Sequence, residues 1–329
     1  MTQKQEYAIT FVESMQAVLL PVEPDALSLG PQEVAGRTLA SLISAGTELA
    51  VYQGLQAGVA YPCETGYAAV FEVQQIGSEV EDIKPGERVL CMGPHRSHQR
   101  ARREQCVRVP DGLPPQHAVF ARLMGVSMST LATTNARPPA RVLVTGLGPV
   151  GHLAAQIFAS CGYQVAACDP DAGRRAIASQ HGLAPVLTRI EDDPQWIGNI
   201  DLTVECSGHE AAVLEACRVV RKGGEVVLVG VPWQRRSEIS AHEILHEVFH
   251  RYIVLRSGWE WELPLHATDF RRNSIYGNLE AALGWLKSGR INVEDLHQTV
   301  SPREAQEVYQ NLLHHRFERL AVVFDWSDP

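Results

Sequence analysis

The stretch Arg141–Gly151, RVLVTGLGPVG, decides the reading of this chain. An apolar run of strand-forming residues stops at a glycine, and glycines at the spacing G-x-G-x-x-G lead directly into an apolar helix pattern. Gly146 permits a tight turn, Gly148 lets the backbone come close to a pyrophosphate, and Gly151 allows the helix to pack closely on the strand. Pro149 and Val150 open that helix, whose free N–H groups and dipole favour an anion. Eighteen residues after Gly151, Asp169 follows a second apolar strand, QVAAC, where a carboxylate can accept ribose hydroxyls and repel a 2′-phosphate. NAD is therefore expected in preference to NADP, with Arg174 and Arg175 as the groups that would attract a phosphate instead.

Outward from this stretch the texture continues as alternating strand and helix. RVLVTG, a helix from Pro149, QVAAC, a helix from Asp171, DLTVEC, a helix from Glu210 and EVVLVG follow one another. The strands are apolar at nearly every position, as parallel strands covered on both faces must be, so the class is α/β with a doubly wound parallel sheet. A further strand, YIVLRS, ends at Ser257, and an amphipathic helix is expected over Asn278–Lys287. The first hundred residues instead read as short strands split by Gly and Pro, such as AAVFEVQQI at Ala68–Ile76 and RVLC at Arg88–Cys91. The tail adds a helix near Arg303–His314 and a strand, LAVVF.

The chain has 329 residues, 45% hydrophobic and 20% charged, which suits two packed domains. Its net charge of −9 argues against nucleic acid as a partner, and the basic run His95–Arg103, HRSHQRARR, reads as a solvated turn. Seven cysteines without a CxxC pair point to a reducing, cytoplasmic setting, and no apolar stretch is long enough to span a membrane.

Four segments carry a resemblance to the medium-chain dehydrogenase/reductase superfamily: SAGTELAVYQG at Ser44–Gly54, KPGERVL at Lys84–Leu90, the GLGPVG turn, and DLTVECSG with RKGGEVVLVGVP across Asp201–Pro232. The resemblance implies a GroES-like β-rich catalytic domain made of residues 1–120 and 289–329, around a central Rossmann NAD-binding domain at 121–288. It further implies that Cys206, Ser207 and Gly208, together with Val229, Gly230 and Val231, line the cofactor, that Ser257 and Gly258 lie near the nicotinamide, and that the protein is a homodimer or homotetramer. Bacteriochlorophyllide dehydrogenases are among the relatives it resembles, through the stretch S-x-G-T-E.

Zinc members of that superfamily carry a cysteine at the position of Ala45, a His-Glu pair at Tyr67-Ala68 and another ligand near Arg122–Gly125. This chain has none of these donors, and catalytic zinc needs three, so no zinc is expected. The resemblance makes Thr47 the proton-relay hydroxyl and puts Tyr67 at a vacated ligand position. Tyr67 or His95 is expected to act as general acid/base, with His95 pointing into the active cleft and Glu48 as a supporting or basic group.

Two motifs look like metal sites without fitting this frame. His242-Glu243-Ile244-Leu245-His246 satisfies HExxH, yet it falls where a crossover helix belongs. Cys91, His95, His98 and Cys106 match no standard spacing. The expected activity is NAD-linked interconversion of a secondary alcohol, such as a sugar or polyol derivative, and a ketone. The alternatives are an NADPH-dependent quinone or enone reductase, and a dinucleotide-binding protein without turnover.

Overall fold

The computed structural model describes residues 5–23 and 28–328. They divide into one unit made of Met1–Arg122, Leu279–Lys287 and Val293–Pro329 and a second made of Leu123–Asn278 and Ser288–Asn292. The first division falls after Arg122, where the sequence reading placed it after residue 120, and the end of the helix Ile275–Lys287, which that reading placed in the central domain, goes with the first unit. An amphipathic pattern shows that a helix must bury one face, here Leu279, Ala282, Leu283 and Leu286, but not against which neighbour.

In the second unit six parallel strands are ordered Val186–Leu187, Gln164–Cys168, Arg141–Thr145, Ile200–Glu205, Val220–Leu228 and Val254–Ser257. In chain order this is 3-2-1-4-5-6, the doubly wound Rossmann arrangement, and its order reverses between Arg141–Thr145 and Ile200–Glu205. Alternation of side chains explains why both faces are apolar. Val142 and Val144 pack with Leu147, Ala154, Ala155 and Phe158, whereas Leu143 packs with Ala166, Ile190 and Val213 in a separate cluster. The helix Ala241–Arg251 is the crossover between the last two strands, as its place in the sequence requires.

In the first unit the two ends of the chain share one sheet. Ala321–Asp325 pairs antiparallel with Glu33–Leu42 and parallel with His297–Val300, while Ala69–Ile76, Arg88–Cys91 and Val107–Arg108 extend the other side. A smaller sheet joins Gln16–Val22, Glu6–Glu13 and Cys63–Glu64. Phe11, Tyr52, Tyr309, Phe324 and Trp326 form a core that draws on both chain ends. This is the split β-rich domain the resemblance implied.

Candidate functional site

At the switch point the glycine turn has the geometry its sequence demands. Gly146 adopts φ +82°, and a Cβ at Gly151 would stand 1.8 Å from the Gly146 carbonyl oxygen, so strand end and helix start touch backbone to backbone. Gly148 is the opposite case, in extended backbone with nothing within 4 Å of where its Cβ would be. The turn is thus closed on its inner side and open at Gly148, which fits the close approach of a pyrophosphate to the helix Pro149–Ser160.

Asp169 stands beside this turn, but its carboxylate is engaged differently from the sequence reading. It is buried; Oδ2 accepts the Leu147 N–H at 2.6 Å and Oδ1 the Asp171 N–H at 2.8 Å, with Arg174 Nη1 at 3.4 Å from Oδ2. A carboxylate at a strand end satisfies the exposed N–H groups of the adjacent turn before it meets any ligand. Arg175 turns back to the carbonyls of Asp169 and Pro170, at 2.8 Å each.

Glu205 is a residue the sequence reading missed. Fully buried at the end of Ile200–Glu205, it accepts the N–H groups of Ser207 at 2.7 Å and Gly208 at 3.0 Å, and it bonds the Ser207 and Thr145 hydroxyls. Burial pushes its carboxyl up, against those hydrogen bonds. It therefore shapes the Cys206–Gly208 turn that faces Gly146, and the Gly230 backbone closes on Gly208 from the next strand. Cys206 has a thiol raised by burial, and Val231 is exposed. The signal was an acid inside an apolar strand, DLTVEC, where a buried charge needs donors.

In the first unit the structure brings Thr47, Glu48, Tyr67 and His95 together. The Tyr67 hydroxyl donates to Ser44 Oγ and is hydrogen-bonded to the Thr47 side chain. The Ser44 N–H donates to Glu48 Oε1 at 2.7 Å. Glu48 Oε2 is met by Thr65 Oγ1 at 3.0 Å, the Tyr309 hydroxyl at 2.5 Å and His95 Nε2 at 3.0 Å. On its other side His95 Nδ1 is 2.7 Å from Ser41 Oγ, which also accepts from Trp326 Nε1.

His95 therefore does not point into an open cleft. It is 0% exposed, both ring nitrogens are engaged, and its ring lies edge-on against Phe324. A buried carboxylate at Glu48 needs a partner, and His95 is held inward to supply it. Burial would push the Glu48 carboxyl up, but the His95 charge and the hydrogen bonds from His95, Tyr309 and Ser44 outweigh it and hold it below the ordinary value. For Tyr67 burial wins and pushes the hydroxyl up, although Ser44, Thr47 and the Arg122 charge oppose it. The Arg122 guanidinium lies 4.8 Å from the Tyr67 ring centroid.

These side chains do not fit a zinc ion. Ala45, Tyr67, Ala68 and Arg122–Gly125 offer no thiolate, imidazole or carboxylate, and Arg122 sets a fixed positive charge over Tyr67. Among the described residues no three His, Cys, Asp or Glu side chains converge as a metal group. In the HExxH helix Glu243 caps the helix through the Ser240 N–H at 3.1 Å, and Glu247 pairs with Arg218 and Arg251. Cys91 and Cys106 are buried in an apolar cluster, which pushes Cys106 up to about 12 and Cys91 higher still, while His98 faces Gln74 and Glu6. In the basic run, Arg96 pairs with Glu6 and Glu64, Arg100 with Glu33 and Arg103 with Asp82.

A family model described as zinc-binding dehydrogenase matches residues 149–262. The chain is 28% identical over 208 residues to an alcohol dehydrogenase of Geobacillus stearothermophilus, covering 52% of this chain and 62% of that protein. It spans less than two thirds of the first curated relatives it matches. Among solved structures, galactitol-1-phosphate dehydrogenase from Escherichia coli superposes with a TM-score of 0.82 at 16% identity over 97% of this chain and 99% of that one. Acetophenone reductase from Geotrichum candidum, solved with NAD, superposes with a TM-score of 0.81 at 18% identity over the full length of both chains.

Proposed function

We propose, from the premise that this chain belongs to the medium-chain dehydrogenase/reductase superfamily, that it is an NAD-linked oxidoreductase interconverting a secondary alcohol and a ketone without catalytic zinc. The observation that carries this reading is the Gly146–Gly151 turn at the switch point of the parallel sheet, open at Gly148 and flanked by Asp169. Bound there, NAD supplies the hydride acceptor. Gly146, Gly148, Pro149, Val150 and Gly151 would hold its pyrophosphate, Asp169 and Arg174 its adenosine ribose, and Cys206, Ser207, Gly208, Gly230 and Val231 the remainder. The matched proteins, an alcohol dehydrogenase, a galactitol-1-phosphate dehydrogenase and an acetophenone reductase, support the reaction class.

Oxidation of an alcohol removes a hydride from carbon and a proton from oxygen. In this reading Tyr67 takes or returns the proton, Thr47 and Ser44 orient its hydroxyl, and Glu48 with His95 positions Ser44 from behind. Because burial holds the proton on Tyr67 at neutral pH, the group is set as the acid for ketone reduction.

A second reading concerns the substrate. Trp259, Trp261, Leu265 and Phe270 are exposed along the segment after Val254–Ser257. That apolar surface suits a large flat alcohol, as in the bacteriochlorophyllide dehydrogenases, better than a sugar. We further propose a homodimer in the cytoplasm; the seven free cysteines support a reducing setting, and the edge strand Val254–Ser257 supports pairing.

The test is titration of the protein with NADH and NADPH by nicotinamide fluorescence, repeated on Asp169→Ala, followed by turnover on polyols, aryl ketones and large planar alcohols. NADH preference and alcohol oxidation in chelator are expected. NADPH preference with enone reduction would replace the reading with a quinone or enone reductase, and NADH binding without turnover on any of them with a non-catalytic protein.

A further inference from the structure

A proton-transfer tyrosine without a metal needs some other group to stabilise its phenolate. Arg122 is the side chain placed to do so. It is 3% exposed, and its guanidinium carbon is 4.8 Å from the centroid of the Tyr67 ring, inside the range at which a cation is attracted to an aromatic face. The Tyr67 hydroxyl is fixed by Ser44 and Thr47. The ring is thus held between hydroxyl partners at its oxygen and a guanidinium on its face. When a phenol ionises, part of the negative charge spreads onto the ring, so a cation over the face is attracted more strongly to the phenolate than to the phenol.

We infer that Arg122 is a positioning residue that acts through Tyr67, its buried guanidinium supplying the fixed positive charge that stabilises the phenolate. The inference rests on the reading of Tyr67 as the proton-transfer group. In alcohol oxidation the Tyr67 phenolate would take the hydroxyl proton and become phenol while a bound NAD would accept the hydride, leaving ketone and NADH; in reduction the phenol would return that proton. Arg122 takes no part in the proton transfer itself and acts only through its position over the ring.

The opposing charge is Glu48, which raises the Tyr67 hydroxyl as Arg122 lowers it. Glu48, however, is met by His95, Tyr309 and Thr65, so part of its charge is answered before it reaches Tyr67. In the sequence Arg122 stood out only as the start of a segment where a metal ligand failed to appear and which could line a substrate cleft.

The experiment places difluorotyrosine, whose phenol ionises in the neutral range, at position 67 and follows its fluorine resonance against pH in otherwise wild-type protein and in Arg122→Met and Arg122→Lys. Arg122→Met is expected to raise the midpoint by about 1–2 pH units and Arg122→Lys to restore most of that shift. A midpoint that Arg122→Met moves by less than about 0.3 unit, with the melting temperature showing a folded protein, would overturn the inference. If Arg122→Met does not fold, Arg122→Gln, which keeps donors without charge, is read by the same criterion. The readout needs no turnover, so it separates from the dehydrogenase reading: a shifted midpoint in a protein that oxidises no alcohol would keep the electrostatic pairing and remove only its use.

Discussion

An alanine at position 151 tests the dinucleotide turn where it is tightest. Its Cβ would stand 1.8 Å from the Gly146 carbonyl oxygen and 3.1 Å from the Cys206 Cβ. A carbon–oxygen contact is comfortable at about 3.3 Å, so the turn and the helix Pro149–Ser160 must separate by roughly 1.5 Å. Neither can yield cheaply, since Leu147 is tied to Asp169 and Gly146 packs on the Ser207 backbone. Overpacking of this kind costs about 1–3 kcal/mol. The displaced N–H groups should weaken NADH binding by more than about tenfold, or ~1.4 kcal/mol. Gly148→Ala is the matched control. With nothing within 4 Å and extended backbone, the methyl should leave stability within about 0.5 kcal/mol of wild type, yet still weaken NADH by about tenfold because it stands where the ligand backbone must approach. Urea unfolding and NADH fluorescence titration on both variants decide it. If Gly148→Ala binds NADH as well as wild type, or if Gly151→Ala keeps both stability and binding, the turn is not the cofactor site.

Tyr67→Phe is expected to lower kcat by about 10²-fold or more with NADH affinity unchanged. In wild type, the hydroxyl raised by burial should make alcohol oxidation climb through the alkaline range while ketone reduction falls, as stopped-time assays across pH will show. Glu48→Gln should cost about 3 kcal/mol at neutral pH by leaving His95 without its buried partner. Because the Glu48 carboxyl lies below its unfolded value of 4.5, its contribution is present above that pH and is lost as pH falls through the folded value; urea melts should show the wild-type advantage shrinking with acid, and a constant gap down to pH 3 would contradict the pairing. Phe249→Glu with Tyr252→Glu, both on the exposed surface beside the edge strand, should reduce the light-scattering mass from a multiple of 36.2 kDa to that value.

How much of this was legible in sequence depends on whether backbone or side-chain geometry made the demand. The glycine turn was legible because only glycine tolerates φ +82° at Gly146 and the backbone contact at Gly151, and neither depends on distant residues. The parallel sheet was legible because strands covered on both faces have no polar side. The location of Tyr67 and Thr47 came from resemblance, and the structure joins them by a direct hydrogen bond, with Ser44 as the second partner of the Tyr67 hydroxyl. His95 was expected to point into the active cleft; only the fold shows that its ring is sent inward between Ser41 and Glu48. The partners that hold it, Tyr309 on Glu48 and Trp326 on Ser41, come from the other end of the chain. No local pattern records such a contact, and Glu205 escaped notice for a related reason, since its donors follow it in a turn whose shape exists only in the folded unit.

Asp169 shows how one residue answers two demands that sequence reading treats as one. A carboxylate has about four acceptor positions. The N–H groups of Leu147 and Asp171 take two, and Arg174 approaches a third. The carboxylate therefore first holds the glycine turn in shape, and under the proposed function only its remaining capacity would be left for a ribose. Under the NAD-linked reading this makes Arg174 part of the selection: more than a third exposed, it is tethered to Asp169 at 3.4 Å and must leave that charge to meet a 2′-phosphate. Removing the carboxylate then has two effects at once, loosening the Leu147 turn and freeing Arg174 for a phosphate. Asp169→Asn separates them in part: its one carbonyl oxygen can still accept the Leu147 N–H while its amide loses the Asp171 N–H and the charge that pairs with Arg174, so a selectivity that rests on charge should relax by more than affinity for NADH falls.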